Sequence, residues 1–378
     1  MRVLHVTSTY PRGPGDRTGP FLADLVTVTR DAGVDVRVVA PDGRGVVPMD
    51  GVVRFRYGPR RAEVLAYGGG LLATARGWRA LLVPPYLAGM AATTTRVARG
   101  WRADVVHAHW WLPGGLAALP AGRLAGAPVV LTLHGSDVAL AHRVRPLARA
   151  VARRAAAVTA VSVALAGEAS SLLGVDVSVT AMPVLVDDGD RNGAAGAGGR
   201  GGLVAVGRLT PEKGFDVLLG ALSLAPAPLT VIGDGPLRAA LQAQATGLDV
   251  EFVGTVGRDE LHARLAHAAA VVIPSRREGL GLVAVEALLL GTPVIASHTG
   301  GLPEALGAFE SVPPSYGEVL DAPGGLLVPP GHVGALASAL QRVGTLTPPA
   351  PLAVAAAARH RPAAVAAHHL ALYDALLA

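Results

Sequence analysis

The sequence predicts an α/β protein of two units, each a parallel sheet with helices on both faces. Three observations predict it. Short apolar runs alternate with helical patterns through both halves, the rhythm of successive βα repeats. A chain of 378 residues is long for a single core. Between the halves lies a low-complexity stretch, residues 187–202, which includes Gly193-Ala194-Ala195-Gly196-Ala197-Gly198-Gly199 and reads as a linker.

In the first half, residues 3–7 read as a strand, followed by a Gly/Pro-rich loop over 11–20. Residues 21–32 read as a helix with Leu22, Leu25, Val26 and Val28 among its apolar positions. Gly33 ends that helix, and residues 34–39 form the next strand. Residues 104–107 and 129–133 are two more strands of the buried type. The second half repeats the plan with apolar runs at 203–206, 229–232, 250–253, 271–273 and 293–296. The acidic stretch Asp187-Asp188-Gly189-Asp190 resembles a metal site in composition, but a turn is the ordinary use of Asp and Gly in a loop. Residues 362–377 read as a helix outside the βα rhythm. The expected boundaries are therefore 1–186, a linker at 187–202, 203–361, and a final helix in 362–378.

Composition excludes several chemistries. No cysteine occurs, so disulfides, thiolate zinc sites and thiol nucleophiles are absent. A net charge of +5 is carried by arginines spread along the chain, which suits anionic ligands better than a nucleic-acid track; no nucleic-acid partner is expected. The first residues read as a strand and not as a signal peptide. The longest apolar candidate, 64–75, is broken by Gly68-Gly69-Gly70 and followed by Arg76 and Arg79, too short to cross a bilayer. A cytoplasmic, bacterial protein is the expectation. Arg143, Arg145, Arg149, Arg153 and Arg154 form a basic run on a helix, which is either a solvated face or a weak peripheral contact with anionic headgroups.

Two segments carry the chemistry. Lys213 is the only lysine in a chain with 33 Lys+Arg. It lies in Gly207-Arg208-Leu209-Thr210-Pro211-Glu212-Lys213-Gly214, directly after an apolar run. A point charge beside a glycine turn at a strand end suits a phosphate; a surface lysine without a role is the alternative. The stronger segment is Pro274-Ser275-Arg276-Arg277-Glu278-Gly279-Leu280-Gly281-Leu282-Val283-Ala284-Val285-Glu286-Ala287, a strand end, a glycine turn and a helix starting near Leu282. The helix's first amides form an anion site. Glu278 and Glu286 around it are suited to hydroxyls, which donate to carboxylates. Phosphate flanked by hydroxyls describes a nucleotide sugar.

With these motifs the chain resembles the retaining glycosyltransferases of family 4 (glycosyltransferase group 1), which include sucrose-phosphate synthases and bacterial mannosyltransferases. The resemblance also runs through Ile232-Gly233-Asp234-Gly235-Pro236, Phe252-Val253-Gly254, Gly300-Gly301-Leu302-Pro303-Glu304, Val105-Val106-His107-Ala108-His109-Trp110 and Thr132-Leu133-His134-Gly135-Ser136-Asp137. It implies the GT-B fold, two Rossmann-like domains facing across a cleft, with the C-terminal helix returning to the first. It implies transfer of a hexose from a UDP- or GDP-sugar to an acceptor small molecule, glycan or lipid, with retention of configuration and with neither metal nor cofactor. Arg208 and Lys213 would hold the diphosphate, with the amides of Gly281, Leu282 and Val283. Glu286 would bind ribose, and Glu278 and Gly279 would lie against the transferred sugar. Gly233 and Val253 would line the nucleotide, and Gly19 would belong to the loop closing on the donor. His134 would face the sugar from the first domain.

Asp137 is expected to cap the helix beginning near Val138, to orient His134 or to touch acceptor. His107 and His109 are expected to alternate along their strand end, so that one faces the ligand; His109 is the choice for an acceptor contact. Residues 306–322, interposed before Gly324-Gly325-Leu326-Leu327-Val328-Pro329-Pro330, depart from the family's usual spacing. A nucleotide-sugar epimerase, which needs no acceptor, and a non-catalytic nucleotide-sugar-binding subunit are the alternatives.

Overall fold

A computed structural model describes residues 1–16, 18–59, 61–67, 74–75, 77–186 and 201–378. The expected linker residues 187–200, with the acidic stretch Asp187 to Asp190, lie outside the described residues, as do Arg17 and the Gly68-Gly69-Gly70 run. The chain divides into two compact units. One comprises Met1–Pro183 with Pro362–Ala378, the other Val184–Arg361.

The first unit is built on strands β1 (Arg2–Val6), β2 (Asp35–Pro41), β3 (Val52–Phe55), β4 (Val105–His109), β5 (Val129–Leu133), β6 (Ala157–Ala160) and β7 (Ser178–Val179). They form one parallel sheet in the order β3-β2-β1-β4-β5-β6-β7. Strand order reverses between β1 and β4, so the carboxyl ends of these two strands border the crevice where ligands gather in such sheets. The inner strands β1, β4, β5 and β6 are Val-, Ala- and Leu-rich and almost wholly buried, as sheets covered on both faces require.

One face of this sheet is unusual. His5 is the register partner of His107, and His109 lies two residues further along β4. Side chains two apart share a face of a strand. The expectation that His107 and His109 alternate, so that only one faces the ligand, is therefore corrected: both rings are on the same face, fully buried and stacked with centroids 4.5 Å apart.

The polar row continues across the sheet. His107 Nε2 bonds Thr132 Oγ1 at 2.7 Å, and Thr132 Oγ1 bonds Thr159 Oγ1 at 2.7 Å. It is closed by the chain's last helix, Pro362–Leu377, whose Tyr373 hydroxyl meets His107 Nδ1 at 2.7 Å and whose His369 Nε2 meets Thr180 Oγ1 at 3.3 Å. That helix also packs on the first helix, Pro20–Asp31, so the return of the C-terminal helix to the first unit is as expected.

The second unit holds β8 (Leu203–Val206), β9 (Leu229–Ile232), β10 (Val250–Gly254), β11 (Ala270–Ile273), β12 (Val294–Ser297), β13 (Leu320–Ala322) and β14 (Gly325–Val328). The order is β10-β9-β8-β11-β12-β14-β13, parallel except for the edge strand β13. Residues 306–322 thus end in a short antiparallel strand paired with β14. Here the order reverses between β8 and β11, and those two strands lead into the Lys213 and Glu278 segments.

The basic run in the first unit has a structural use. Arg145 Nε donates to Leu172 O at 2.8 Å and Arg149 Nε to Leu173 O at 3.0 Å, satisfying carbonyls at the end of the helix Val163–Leu173. Among the described residues no helix is long and apolar enough to cross a membrane.

Tyr373→Phe removes the hydroxyl and leaves a buried nitrogen of His107 without its partner. The expected cost is about 1–3 kcal/mol, read as a lower urea midpoint of the first unit; an unchanged midpoint would show that the helix docks by apolar packing alone.

Candidate functional site

The second unit's site grows from two turns beside the strand-order reversal. After β8 the chain runs through exposed Arg208 into a single 3-10 turn, Pro211–Lys213. After β11 it enters the turn 274–281 and then the helix Leu282–Leu289. The backbone stitches these turns together: Arg276 N donates to Glu212 O at 2.8 Å and Arg277 N to the same oxygen at 3.3 Å. The Arg276 guanidinium reaches Pro211 O at 3.0 Å and grips both oxygens of Asp216 at 2.6 Å, a two-point pair that Arg geometry favours. Gly214 is essential to this approach. Its φ is +66°, and a Cβ there would lie 2.0 Å from Pro274 O.

The stitching brings the two sequence-predicted charges into contact. Lys213 Nζ donates to Glu278 Oε2 at 2.7 Å, and Ser275 Oγ donates to the same oxygen at 3.0 Å. An ammonium has three N–H donors, so Lys213 can keep Glu278 and still serve an anion. The helix Leu282–Leu289 begins next to this pair at Gly281, with no side-chain cap on its amides and no acidic residue in its first turn. Glu286 lies one turn inside it, half-buried. Gly300, at φ +56°, lets its backbone approach Glu278 O where a Cβ would stand at 1.8 Å, and Gly301 N donates to Gly279 O at 3.2 Å. Glu304 of the same motif is buried and ion-paired with Arg359. Gly233 N donates to Gly254 O at 2.7 Å, and the β9–β10 register shifts between Phe252 and Gly254, which takes Val253 out of the ladder.

In the first unit the geometry centres on His134, at the end of β5. Its Nε2 meets His109 Nδ1 at 3.1 Å. Trp110 lies over it with centroids 4.6 Å apart, and Phe21, two residues after Gly19, is tilted against it at 5.3 Å. Trp110 adopts φ +63°, a strained conformation for an aromatic residue, and one often found at functional sites.

Asp137 does not cap its helix. The helix is Ser136–Ala141, preceded by Gly135, and Asp137 sits inside its first turn. Its buried carboxylate accepts from His134 N and Gly135 N at 3.0 Å each and from Trp111 N at 3.3 Å. Burial nonetheless raises its pKa to about 6, against the lowering effect of those amide bonds. Asp137 therefore orients the His134 backbone, one of the readings its sequence position left open. His109 has both ring nitrogens committed to histidines, so it lies behind His134 and not at a ligand surface.

Burial lowers His5 and His134 to about 3 and His369 to about 4, and holds His107 and His109 well below the usual histidine range. His5, His107 and His109 have ring nitrogens within 4.8 Å of one another, a spacing that a metal can bridge. Five of their six nitrogens are already in hydrogen bonds, and the exception is His5 Nε2. The arrangement is a hydrogen-bonded stack as it stands.

Sequence reasoning missed His5, Trp110, Phe21, Ser275 and the Arg276–Asp216 clamp. A signal for His5 exists in its place on the first strand, but only the register reveals what faces it.

The fold and the two turns define a sugar-nucleotide-handling enzyme of the two-domain α/β type. Residues 18–184 match the glycosyl transferase 4-like domain family, and residues 200–345 the glycosyl transferases group 1 family. The chain is 30% identical over 363 residues to TuaC of Bacillus subtilis (strain 168), a glycosyltransferase assigned to teichuronic acid biosynthesis, covering 90% of this chain and 89% of that protein. It is 35% identical over 304 residues to the 2-deoxystreptamine glucosyltransferase of Streptomyces kanamyceticus, covering 71% and 74%. In fold it is similar to sucrose-phosphate synthase from Thermosynechococcus elongatus, with TM-score 0.76, 20% identity and coverage of 100% and 99%. It is likewise similar to Anabaena HepE in complex with UDP-glucose, with TM-score 0.69, 21% identity and coverage of 99% and 100%. This chain belongs to the group 1, family 4 glycosyltransferases and has their GT-B fold. It is a nucleotide-sugar glycosyltransferase.

The buried histidines set an acid limit. Unfolded histidines titrate near 6.5, whereas His5, His107, His109 and His369 stay neutral well below that in the fold. Their stabilising contribution is full above about pH 6.5 and falls as pH drops toward the folded values, by about 1.4 kcal/mol per pH unit for each histidine. Asp137 acts oppositely: with its pKa raised, it contributes stability below about pH 4 that is lost as pH rises through 6. Four groups outweigh one, so the melting temperature of the first unit should fall steeply from pH 6.5 to 5. A flat profile over that range would contradict the neutral buried column.

Proposed function

We propose that this enzyme transfers a hexose from a UDP- or GDP-sugar to a hydroxyl- or amine-bearing acceptor, with retention of anomeric configuration and without a metal ion. The observation that carries this reading is the Lys213–Glu278 pair beside the uncapped start of the helix Leu282–Leu289. It joins a cation, free helix amides and a carboxylate within one stitched turn, which is the complement of a diphosphate bearing a sugar. Relatives with UDP-glucose bound or with GDP-mannose dependence belong to the same fold or family, which supports a nucleoside diphosphate sugar as donor.

In this reading Arg208 and Lys213 take the diphosphate together with the amides of Gly281, Leu282 and Val283. Negative charge grows on the leaving phosphate as the glycosidic bond breaks. Fixed cations and helix amides stabilise that charge without reorganising. Glu286 accepts from ribose hydroxyls. Glu278, held by Ser275 and Lys213, accepts from the sugar near Gly279. Gly233 and the bulged Val253 offer backbone to the nucleotide. His134 serves the transferred sugar, and Gly19 belongs to the loop that closes on the donor. The acceptor proton passes to the departing phosphate in a same-face substitution, so no protein nucleophile is required.

Lys213→Ala is expected to lower turnover by on the order of a hundredfold, with an unchanged melting temperature because Ser275 still holds Glu278. The assay is nucleoside diphosphate release in the presence of acceptor extracts, and wild-type turnover in this variant would remove the phosphate role. In the same assay, activity should persist in excess EDTA. Loss in EDTA with recovery on adding manganese or magnesium would overturn the metal-free reading.

A further inference from the structure

Three imidazoles run in series from the interior of the first unit to His134. His5 Nδ1 meets His109 Nε2 at 2.9 Å, and His109 Nδ1 meets His134 Nε2 at 3.1 Å. We infer that His5 and His109 are positioning residues that hold His134 as its Nδ1–H tautomer, so that it presents a hydrogen-bond donor to the transferred sugar. The inference rests on the proposed placement of His134 against that sugar.

The argument is one of proton placement. A neutral imidazole carries one N–H and one lone pair. Each link in the series needs one of each, so choosing the proton on one ring fixes the other two. Only two arrangements satisfy both links. In the first, His5 Nδ1–H donates to His109 Nε2, His109 Nδ1–H donates to His134 Nε2, and His134 keeps its proton on Nδ1. In the second, every bond is reversed and His5 carries its proton on Nε2.

The inner end of the series decides between them. His5 is buried, and its Nε2 has no hydrogen-bond partner among the described residues. The second arrangement would strand an N–H there, and orphaned buried N–H groups are rarer than under-used acceptors. The first leaves only a lone pair. Burial keeps all three rings neutral, so neither arrangement is short-circuited by a protonated ring.

The outer end is where the choice is felt. His134 is the partly exposed member of the series, and Trp110 and Phe21 pack against its ring. Asp137 fixes the backbone amide of His134, and His109 fixes its ring. An Nδ1–H at this place takes an oxygen lone pair of a sugar hydroxyl, whereas the other tautomer would demand that hydroxyl's proton.

The test combines nitrogen NMR with kinetics on the full chain. Histidine labelled with ¹⁵N reports directly which ring nitrogen is protonated. In the wild type, His134 and His109 should both be Nδ1-protonated. His5→Leu removes the inner donor and loosens His109; the same preference for an unused lone pair over an orphaned N–H keeps His134 Nδ1-protonated, while kcat should fall roughly tenfold, the scale of one hydrogen bond. Binding of free UDP or GDP should be unchanged. In His5→Asn the amide nitrogen stands near the former Nδ1 and can donate to His109, so kcat should return toward wild type.

An Nε2-protonated His134 in the wild type would overturn the proposal even if the leucine variant does not fold. So would equal impairment of His5→Leu and His5→Asn, which would reduce His5 to packing. The spectrum needs no glycosyl transfer. Full transfer activity in His134→Ala would therefore sink the functional placement of His134 while leaving the tautomer assignment standing.

Discussion

The first unit depends on a neutral polar seam within an apolar sheet. Imidazoles and hydroxyls from four strands and the last helix lie on one face, where each must find its partner among the others. Ordinary packing tolerates substitution of one hydrocarbon for another of similar volume. A hydrogen-bonded seam does not, because any member removed leaves its neighbour with an unmet donor or acceptor at low dielectric. The register of β1 against β4 is fixed by this requirement as well as by the alternation of apolar residues. His5 opposite His107 puts three rings in a stack, and a slip of one residue would turn them to the other face.

The second unit solves a different problem. It must hold cationic and anionic side chains close together at a strand-order reversal without collapsing the space a ligand needs. It does so with backbone. The turn carrying Lys213 and the turn carrying Glu278 are joined through hydrogen bonds that the Arg276 and Arg277 amides donate to Glu212 O, and the Arg276–Asp216 pair closes the joint from outside. The Lys213–Glu278 pair is then not left to hold the turns together alone.

Much of this was legible in the sequence. The main strands of the second unit and the last helix are bounded by Gly, Pro and polar residues, so apolar runs locate them closely. Lys213 and Glu278 stood out by rarity and by spacing, and they meet in space. The strands β3, β6, β7, β13 and β14 were not anticipated. β3, β7 and β13 are short and lie at or near sheet edges, where the apolar signal is weak, whereas the four-residue runs of β6 and β14 were passed over although they are largely buried. His107 and His109 were misjudged because a spacing of two was treated as alternation, when it places both rings on one face. Asp137 was read chiefly as a cap, but three backbone amides from two segments converge on it, and sequence distance hides that convergence. Trp110 was invisible for a similar reason: a left-handed backbone angle at an aromatic residue has no compositional signature.

The discontinuous make-up of the first unit has a consequence for biogenesis. Its sheet is encoded by residues up to Pro183, but the helix that covers the histidine face begins at Pro362. During synthesis, the whole of the second unit emerges before Tyr373 and His369 do. Throughout that interval His107 lacks the hydroxyl that completes its hydrogen bonding, and the face that the helix covers stays open to water. The nascent first unit is thus held one step short of its finished interior until the helix Pro362–Leu377 has been made. A ribosome stalled within the second unit would release a fragment whose sheet is whole in sequence yet lacks its cover, a ready substrate for chaperones and proteases.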